Sequence, residues 1–416
     1  MQGTHPISLL ILVALATSPL PGQRDTDAAN PLLDAFHWRN IGPANMGGRI
    51  VDIEAEDRDW RRVIIAAATG GVWKSVNAGT SWTPIFDNYP VASVGDIAIF
   101  QPNPDIIWIG TGEANNRNSV SWGDGIYKST DGGASFENVG LRSTHQIARV
   151  VTHPEDPDRV YVAAVGHLWG TSGDRGLFES RDGGRTWEKL IRGLPDNSST
   201  GATDLVMDPT DSNTLYVAFY ERHRTPWDFS SGGPDGGIFK STDAGQTWRK
   251  LANGLPSGDT GRIGLAIYRS DPRILMAIIE AEPSGELRSG IYRSEDAGES
   301  WSYVNPYNNR PFYYSQIRIN PLDDQRVYVL TTRYMVSTDG GRTLTNGAAD
   351  EEIHGDFHAL WNDPTDVDRY YIGQDKGPFL THDHGENFQM FDNIALGQYY
   401  RIGVDMRDPY YVYGGL

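Results

Sequence analysis

Apolar and polar positions alternate along most of this chain in runs of four to six residues. Residues 95–100, 147–151 and 316–319 are typical, and each run leads through a turn rich in Pro and Asp into a second apolar run. Alternation with a period of two places every second side chain on the same face of a strand. The pattern therefore predicts many short antiparallel strands joined by tight turns.

One motif recurs where each group of strands ends. It has the form Ser-x-Asp-x-Gly-x-Ser/Thr-Trp, and seven copies begin 43 to 61 residues apart. The copies begin at Ser75, Ser129, Ser180, Ser241, Ser294, Ser337 and Thr381. Four antiparallel strands in a unit of about 50 residues are typical of a propeller blade. We predict an all-β fold, a β-propeller of seven complete blades and a partial eighth within residues 400–413.

The chemistry of this motif indicates a turn. A short acidic side chain accepts N–H groups of its own turn, and the glycine two residues later adopts a positive φ at low cost. The aromatic residue that ends the motif packs between sheets. Seven equivalent copies favour a structural role over catalysis or calcium binding. The predicted structural positions are Asn77, Asp131, Asp182, Asp243, Asp296, Asp339 and Asp383.

The N-terminal residues predict export. An apolar run at residues 7–16 precedes a Pro-rich segment, and it is too short for a bilayer, which needs about 20 residues. We predict a signal peptide over residues 1–22, a polar leader over 23–35, a propeller over 36–416, and a secreted or periplasmic protein. Residues 36–41 resemble a fourth strand and would complete the last blade. Seven and a half blades do not close neatly, so we expect a longer intact protein.

Charge and composition narrow the possible partners. The formal net charge is −18, and so acidic a surface repels phosphate backbones, which disfavours nucleic acid. Cysteine is absent, which excludes disulfides, thiol nucleophiles and Cys-based metal sites. Beyond the N-terminal run, no segment is apolar enough to span a membrane. We predict no cofactor and no metal.

Loop length distinguishes the two faces of the predicted propeller. The Pro/Asp turns and the motif turns share one face, whereas the longer and unequal loops lie on the other face, where function concentrates. Three of these loops carry a Trp beside amide and charged groups, which suits glycan or peptide ligands, although such Trp residues can equally cap the blade edges. The predicted ligand-binding residues are Glu113, Asn116, Arg117, Trp122, His167, Trp169, Glu221, His223 and Trp227.

A second cluster of polar residues lies at the start of the seventh blade. His354, Asp356 and His358 alternate along an extended segment and could ligate a metal from one side. Hydrogen bonding to loop backbone is the more frequent use of such residues, and it is the reading that we adopt.

The repeated motif resembles that of the BNR or Asp-box superfamily over residues 36–416. Residues 110–115, 123–129 and 358–361 are similar to bacterial secreted proteins described as sortilin-like, with YVTN/BNR-type repeats, that are often labelled glycosyl hydrolases. The resemblance implies a propeller, but a fold does not by itself carry an activity.

Two hydrolase groups of this superfamily have motifs that can be compared. Xyloglucanase-type enzymes place a catalytic aspartate in an Arg-Thr-Asp-x-Gly-Gly stretch of the first blade, and here residues 66–71 carry Ala68 at that position. Sialidases carry Arg-Ile-Pro in the first strand, and the nearest match is Arg49-Ile50-Val51. Because glycosidases of the first kind need a pair of carboxylates, the missing aspartate disfavours that activity. The missing proline disfavours a sialidase.

Two functions remain open after these comparisons. The sequence favours a non-catalytic binding or scaffold propeller for glycan or peptide ligands. The alternative is a glycoside hydrolase acting on extracellular polysaccharide, with its carboxylates drawn from Glu113, Asp124, Glu221 and Asp375.

Overall fold

The computed structural model of the protein describes residues 41–42, 47–117, 120–347 and 355–415. These residues form seven antiparallel sheets, each a meander of four strands in chain order, which confirms the predicted all-β propeller. The predicted signal peptide and leader, with residues 36–40, lie outside the described residues. Along the described chain no helix has the length and apolar character needed to cross a membrane.

The strands are numbered in chain order. Blade 1 contains β1 (Ile50–Glu56), β2 (Asp59–Ala67), β3 (Val72–Ser75) and β4 (Thr83–Pro84). Blade 2 contains β5 (Val94–Ile99), β6 (Ile107–Thr111), β7 (Ile126–Ser129) and β8 (Glu137–Asn138). After a short 3-10 helix (Arg142–Thr144), blade 3 contains β9 (Ile147–Thr152), β10 (Val160–Ala164), β11 (Gly176–Ser180) and β12 (Glu188–Leu190).

Blade 4 has an extra strand that extends its second hairpin. It contains β13 (Thr200–Met207), β14 (Leu215–Arg224), β15 (Phe229–Ser231), β16 (Gly237–Ser241) and β17 (Arg249–Lys250). Blade 5 contains β18 (Thr260–Ile267), β19 (Leu275–Ala281), β20 (Gly290–Ser294) and β21 (Ser302–Asn305). Blade 6 contains β22 (Gln316–Asn320), β23 (Asp323–Leu330), β24 (Tyr334–Ser337) and β25 (Thr345–Asn346).

The ring closes between the seventh blade and the first. Blade 7 contains β26 (Phe357–Asn362), β27 (Tyr370–Gln374), β28 (Gly377–Thr381) and β29 (Gln389–Met390), and β26 packs against β1. Blade 7 takes its fourth strand, β29, from its own segment, and the N-terminal strand expected to complete it lies, apart from Ile41, outside the described residues. The partial eighth blade is a separate two-stranded sheet of β30 (Arg401–Val404) and β31 (Val412–Gly415).

Carboxylates join the innermost strands of neighbouring blades. Asp52 accepts the amide N–H of Ile97 at 2.9 Å, and Asp96 accepts that of Val150 at 2.7 Å. Asp204 bonds to the amide of Leu265 at 2.8 Å. The apolar core fills the spaces between blades, and aromatic residues of the motif such as Trp248 and Trp301 are buried in it, as predicted.

The repeated motif forms the predicted turn between the third and fourth strands. In blade 2 Asp131 accepts the Ser135 amide at 2.9 Å and the Ser129 hydroxyl at 2.8 Å, and Gly133 has φ of 88°. In blade 1 Asn77 makes the equivalent bonds with Ser81 and Ser75. The same geometry at all seven positions supports the structural role assigned to the motif.

The motif turns make stability depend on pH in acid. Donation from the hydroxyl and amide groups of Ser135, Thr186 and Thr343 lowers the pKa of Asp131, Asp182 and Asp339 to about 2. An unfolded Asp titrates near 3.9, so these groups stabilise the fold above pH ~4 and lose that contribution as the pH falls toward 2. We expect the Tm to fall over this window in thermal melts.

The matched control replaces these three aspartates together by Asn, a residue that Asn77 shows to fit the turn. The variant is expected to depend less on pH between 4 and 2. The same slope in both proteins would contradict the assignment.

Four motif turns hold a side chain in the left-handed conformation before their glycine. Ala78, for example, has φ of 57°, whereas the equivalent Gly132 has φ of 72°. In this conformation a residue with a Cβ is strained by roughly 1–2 kcal/mol, and glycine removes that strain. The greater conformational freedom of glycine in the unfolded state offsets part of the gain. Ala78→Gly is therefore expected to raise the free energy of unfolding by about 1 kcal/mol in urea melts.

Ala134 provides the comparison for this prediction. It follows the glycine of its turn and does not have a positive φ. Ala134→Gly should leave the free energy of unfolding unchanged or lower it. A destabilised Ala78→Gly variant would refute the proposed strain.

Candidate functional site

A depression of about 340 Å³ lies on the face opposite the motif turns. It is formed by residues at the ends of second strands and in the loops that follow them, together with the segment after blade 7. Its lining includes Arg49, Ala68, Glu113, Arg117, Ser121 and Tyr400. Ala68, which occupies the position of the catalytic aspartate in xyloglucanase-type enzymes, therefore borders the depression.

One guanidinium joins three blades beside this depression. Arg49 precedes β1 and donates through Nη1 to Glu113, which follows β6, at 2.7 Å. Its Nε donates to Asp375, which follows β27, at 3.1 Å. The Glu113 side chain is 2% exposed and that of Asp375 is 16% exposed. Of these two carboxylates, Asp375 is the one that solvent or substrate can reach.

The surroundings of Asp375 keep it ionised. Burial raises the pKa of this carboxyl group, but His358 and Arg49 outweigh burial and lower the pKa below its ordinary value. His358 Nε2 lies 3.5 Å from Asp375 Oδ1. An ionised carboxylate beside a sugar-sized depression can act as a base or a nucleophile, or it can stabilise positive charge.

His358 is held among aromatic rings and is not arranged as a metal ligand. It stacks on Tyr314 with 5.2 Å between the ring centroids, and it contacts Tyr313 edge-on with 5.3 Å between the centroids. Asp356 lies outside β26 with φ of 69°, and it accepts a hydrogen bond from Tyr314. His354 is outside the described residues, and those described contain no cluster of three metal-binding side chains. The side chains of Asp356 and His358 thus meet other side chains, Tyr314 and Asp375, and not the loop backbone that the sequence led us to expect.

The loop after β6 crosses the central opening of the propeller. Asn115 accepts a hydrogen bond from Arg262 of blade 5 at 2.8 Å, and Asn116 donates to Tyr220 of blade 4 at 3.1 Å. Asn116 is fully buried and Glu113 nearly so. Both were predicted to bind ligand, yet their contacts position this loop. Arg117, the third predicted residue of the loop, is half-buried and lines the depression.

The three predicted Trp residues are exposed on this face. Trp122 is 67% exposed, Trp169 45% and Trp227 86%. Trp122 stacks on His145 with 6.2 Å between the ring centroids. His145 in turn stacks on His167 with 3.6 Å between the centroids. Such exposure agrees better with ligand contact than with capping of the blade edges, and ligand contact stays a prediction.

The remaining predicted residues lie away from the depression. Glu221 and His223 are half-buried on β14, and His223 pairs with Ser230. Asp124 accepts the Tyr127 hydroxyl at 2.8 Å and lies 3.6 Å from Arg142. Of the four carboxylates considered for catalysis, the structure brings only Glu113 and Asp375 together. Arg49, which joins them, was missed, because its partners are 64 and 326 residues away.

Comparison with known proteins gives relatives for most of the chain. The sortilin Vps10 family model (sortilin, neurotensin receptor 3) matches residues 124–274. An oligoxyloglucan-reducing-end-specific xyloglucanase of Emericella nidulans is 21% identical over 74% of this chain and 38% of its own. Xyloglucanase Xgh74A of Acetivibrio thermocellus is 26% identical over 75% of this chain and 39% of its own.

A solved structure agrees with this fold. The GH74 enzyme of Niastella koreensis superposes with a TM-score of 0.59 at 20% identity, covering 86% of this chain and 56% of that chain. At this identity the likeness concerns the fold alone. The chain spans about two fifths of the length of the two curated relatives named above.

These relatives correct the expectation of a non-catalytic binding or scaffold protein, because the curated proteins that match are glucan hydrolases. That expectation depended on the Trp-bearing loops and on Ala68 in place of an aspartate, whereas the ionised carboxylate of Asp375 bonds to Arg49, which lines the same depression. By its seven motif turns, its four-stranded blades and these matches, the chain is an Asp-box β-propeller, similar to sortilin over residues 124–274 and to xyloglucanases over most of its length.

Proposed function

We propose that this protein is a glycoside hydrolase that cleaves xyloglucan, with substrate bound in the depression beside Ala68 and Asp375. The observation that carries the proposal is the ionised, partly exposed carboxylate of Asp375, bonded to Arg49, which lines a depression of about 340 Å³ in a chain similar to xyloglucanases. The neighbouring exposed Trp residues supply planes on which sugar rings can stack.

The residues of the depression take different roles in this proposal. Asp375 faces the substrate as the ionised carboxylate, while Glu113 is a positioning residue that acts by holding Arg49. Hydrolysis also needs an acid that protonates the departing oxygen. Ala68 has no such group, so the proposal requires a proton donor from another part of the protein.

The experiment is a hydrolysis screen with the full chain. Xyloglucan, unsubstituted cellulose, xylan and pectin are incubated with the protein, and new reducing ends are measured. Release from xyloglucan above that from the other polymers is expected. A folded protein that releases no reducing ends from any of the four would refute the proposed function.

The aromatic surface predicts a change in substrate affinity. Replacing Trp122, Trp169 and Trp227 together by Ala is expected to raise the KM for xyloglucan roughly 10-fold with little change in kcat, because each lost stacking contact costs about 0.5–1.5 kcal/mol. Leu322→Ala, which changes an apolar side chain 45% exposed on the opposite face, is the control. An unchanged KM in the triple variant would remove these residues from the site.

A further inference from the structure

Two arginine side chains are enclosed between blades 3 and 4 without a counter-ion. Arg222 on β14 is 0% exposed, and Arg175, just before β11, is 1% exposed. Other buried arginines are paired with carboxylates, as Arg49 is with Glu113 and Arg293 with Asp324, although the guanidinium of Arg262 bonds to Tyr313 O and Asn115 Oδ1. No carboxylate among the described residues forms an ion pair with Arg175 or Arg222, although the chain has 54 acidic residues.

Neutral groups bind part of each guanidinium. Arg175 Nη2 donates to the carbonyl oxygens of His167 at 2.8 Å and Gly170 at 3.0 Å. Arg222 Nη2 donates to the carbonyl oxygens of Gly166 at 3.0 Å and His167 at 3.3 Å. The two cations therefore converge on the carbonyl oxygen of His167.

Several donors at this place have no partner. Within the described part of the chain, Arg222 Nε, Arg222 Nη1 and Arg175 Nε are buried and donate to no protein group. An unpaired buried charge costs several kcal/mol, and an unsatisfied buried donor adds to that cost. Burial and the neighbouring Arg175 lower the pKa of Arg222 to about 9, and burial lowers that of Arg175 to about 10. An anion would offset the charge and occupy the free donors.

We propose that a halide ion, chloride under ordinary conditions, binds between Arg175 and Arg222. A halide ion carries a single negative charge and accepts hydrogen bonds from any direction. It can therefore accept from several N–H groups on two side chains. Because both side chains are at most 1% exposed, the site has no opening to solvent that would admit sulfate, phosphate or a carboxylate ligand. The bound ion holds the loop of residues 166–175, which carries His167 and Trp169.

Thermal melts in matched salts test the proposal. The Tm of the full chain in sodium chloride is expected to exceed that in sodium gluconate of equal ionic strength by roughly 2–5 °C, saturating with concentration. Arg222→Gln should abolish this difference. Arg273→Gln, at an exposed arginine paired with Asp271, should retain it. Equal Tm values for the wild type in the two salts would overturn the proposal.

Bromide gives a second measurement that does not depend on a variant folding. Crystals of the wild-type protein in sodium bromide are expected to show an anomalous peak within contact distance of both guanidinium groups. A water molecule or a carboxylate of the chain at that point, with no anomalous peak, would also overturn the proposal.

Discussion

Replacement of Asp375 by Asn is expected to lower the rate of xyloglucan hydrolysis at least ~100-fold. The substitution keeps the size of the side chain but removes the charge that the reaction needs as a base, a nucleophile or a stabiliser of positive charge. Arg49 keeps its bond to Glu113, so the variant is expected to fold. The measurement is kcat/KM on xyloglucan, with the Tm recorded for each protein.

Asp124→Asn is the matched control for this prediction. Asp124 is also an aspartate on the face opposite the motif turns, but it bonds to Tyr127 and lies near Arg142, whereas Asp375 bonds to Arg49, which lines the depression. Its replacement is expected to change the rate less than about 2-fold, as for a residue that neither binds nor reacts. Equal losses in both variants, or full activity of Asp375→Asn, would exclude the role given to Asp375.

Replacement of Arg149 by Met is expected to lower the free energy of unfolding by about 3–5 kcal/mol. Arg149 donates to Asp96 at 2.8 Å and to Asp204 at 2.9 Å, in the interior of the propeller. Those carboxylates in turn accept hydrogen bonds from amide groups of the next blades, so the substitution removes the guanidinium that pairs with both of them at the junctions of four blades, and Arg318 remains as the nearby positive charge. Urea melts measure the loss.

The pH dependence of this loss identifies its cause. Burial already raises the pKa of Asp96 well above its ordinary value, even though Arg149 lowers it. A carboxyl group whose pKa is raised in the folded state is protonated at low pH, where it destabilises the fold little. It destabilises the fold more as the pH rises and the group must ionise. The difference between variant and wild type should therefore be smaller at pH 5 than at pH 8. A constant difference would mean that lost packing, not uncompensated charge, is responsible.

The fold could be predicted from the sequence because its determinants are local. Each motif turn closes through bonds spanning four residues, such as Asp131 to Ser135, so seven copies define seven blades without knowledge of the tertiary structure. The closure of the ring was not predictable in this way. Blade 7 uses residues 389–390 as its outer strand, a pairing that only the tertiary structure shows.

The candidate site could be predicted only in part. The loop lengths pointed to the loops that carry the exposed Trp side chains. The same loops supplied Glu113 and Asn116, which face inward because they bond to Arg49 and Tyr220 of other blades. The motif comparison gave undue importance to Ala68. Ala68 is one position of the first blade, whereas Asp375 of the seventh blade bonds to Arg49, which lines the same depression.

The most direct test of the proposed site is a crystal structure of Asp375→Asn soaked with a xyloglucan oligosaccharide. The proposal predicts sugar density in the depression lined by Ala68 and Arg117, beside residue 375, with rings extending toward Trp122. Sugar bound on the face of the motif turns, or an empty depression under conditions in which wild-type protein hydrolyses the same oligosaccharide, would contradict it.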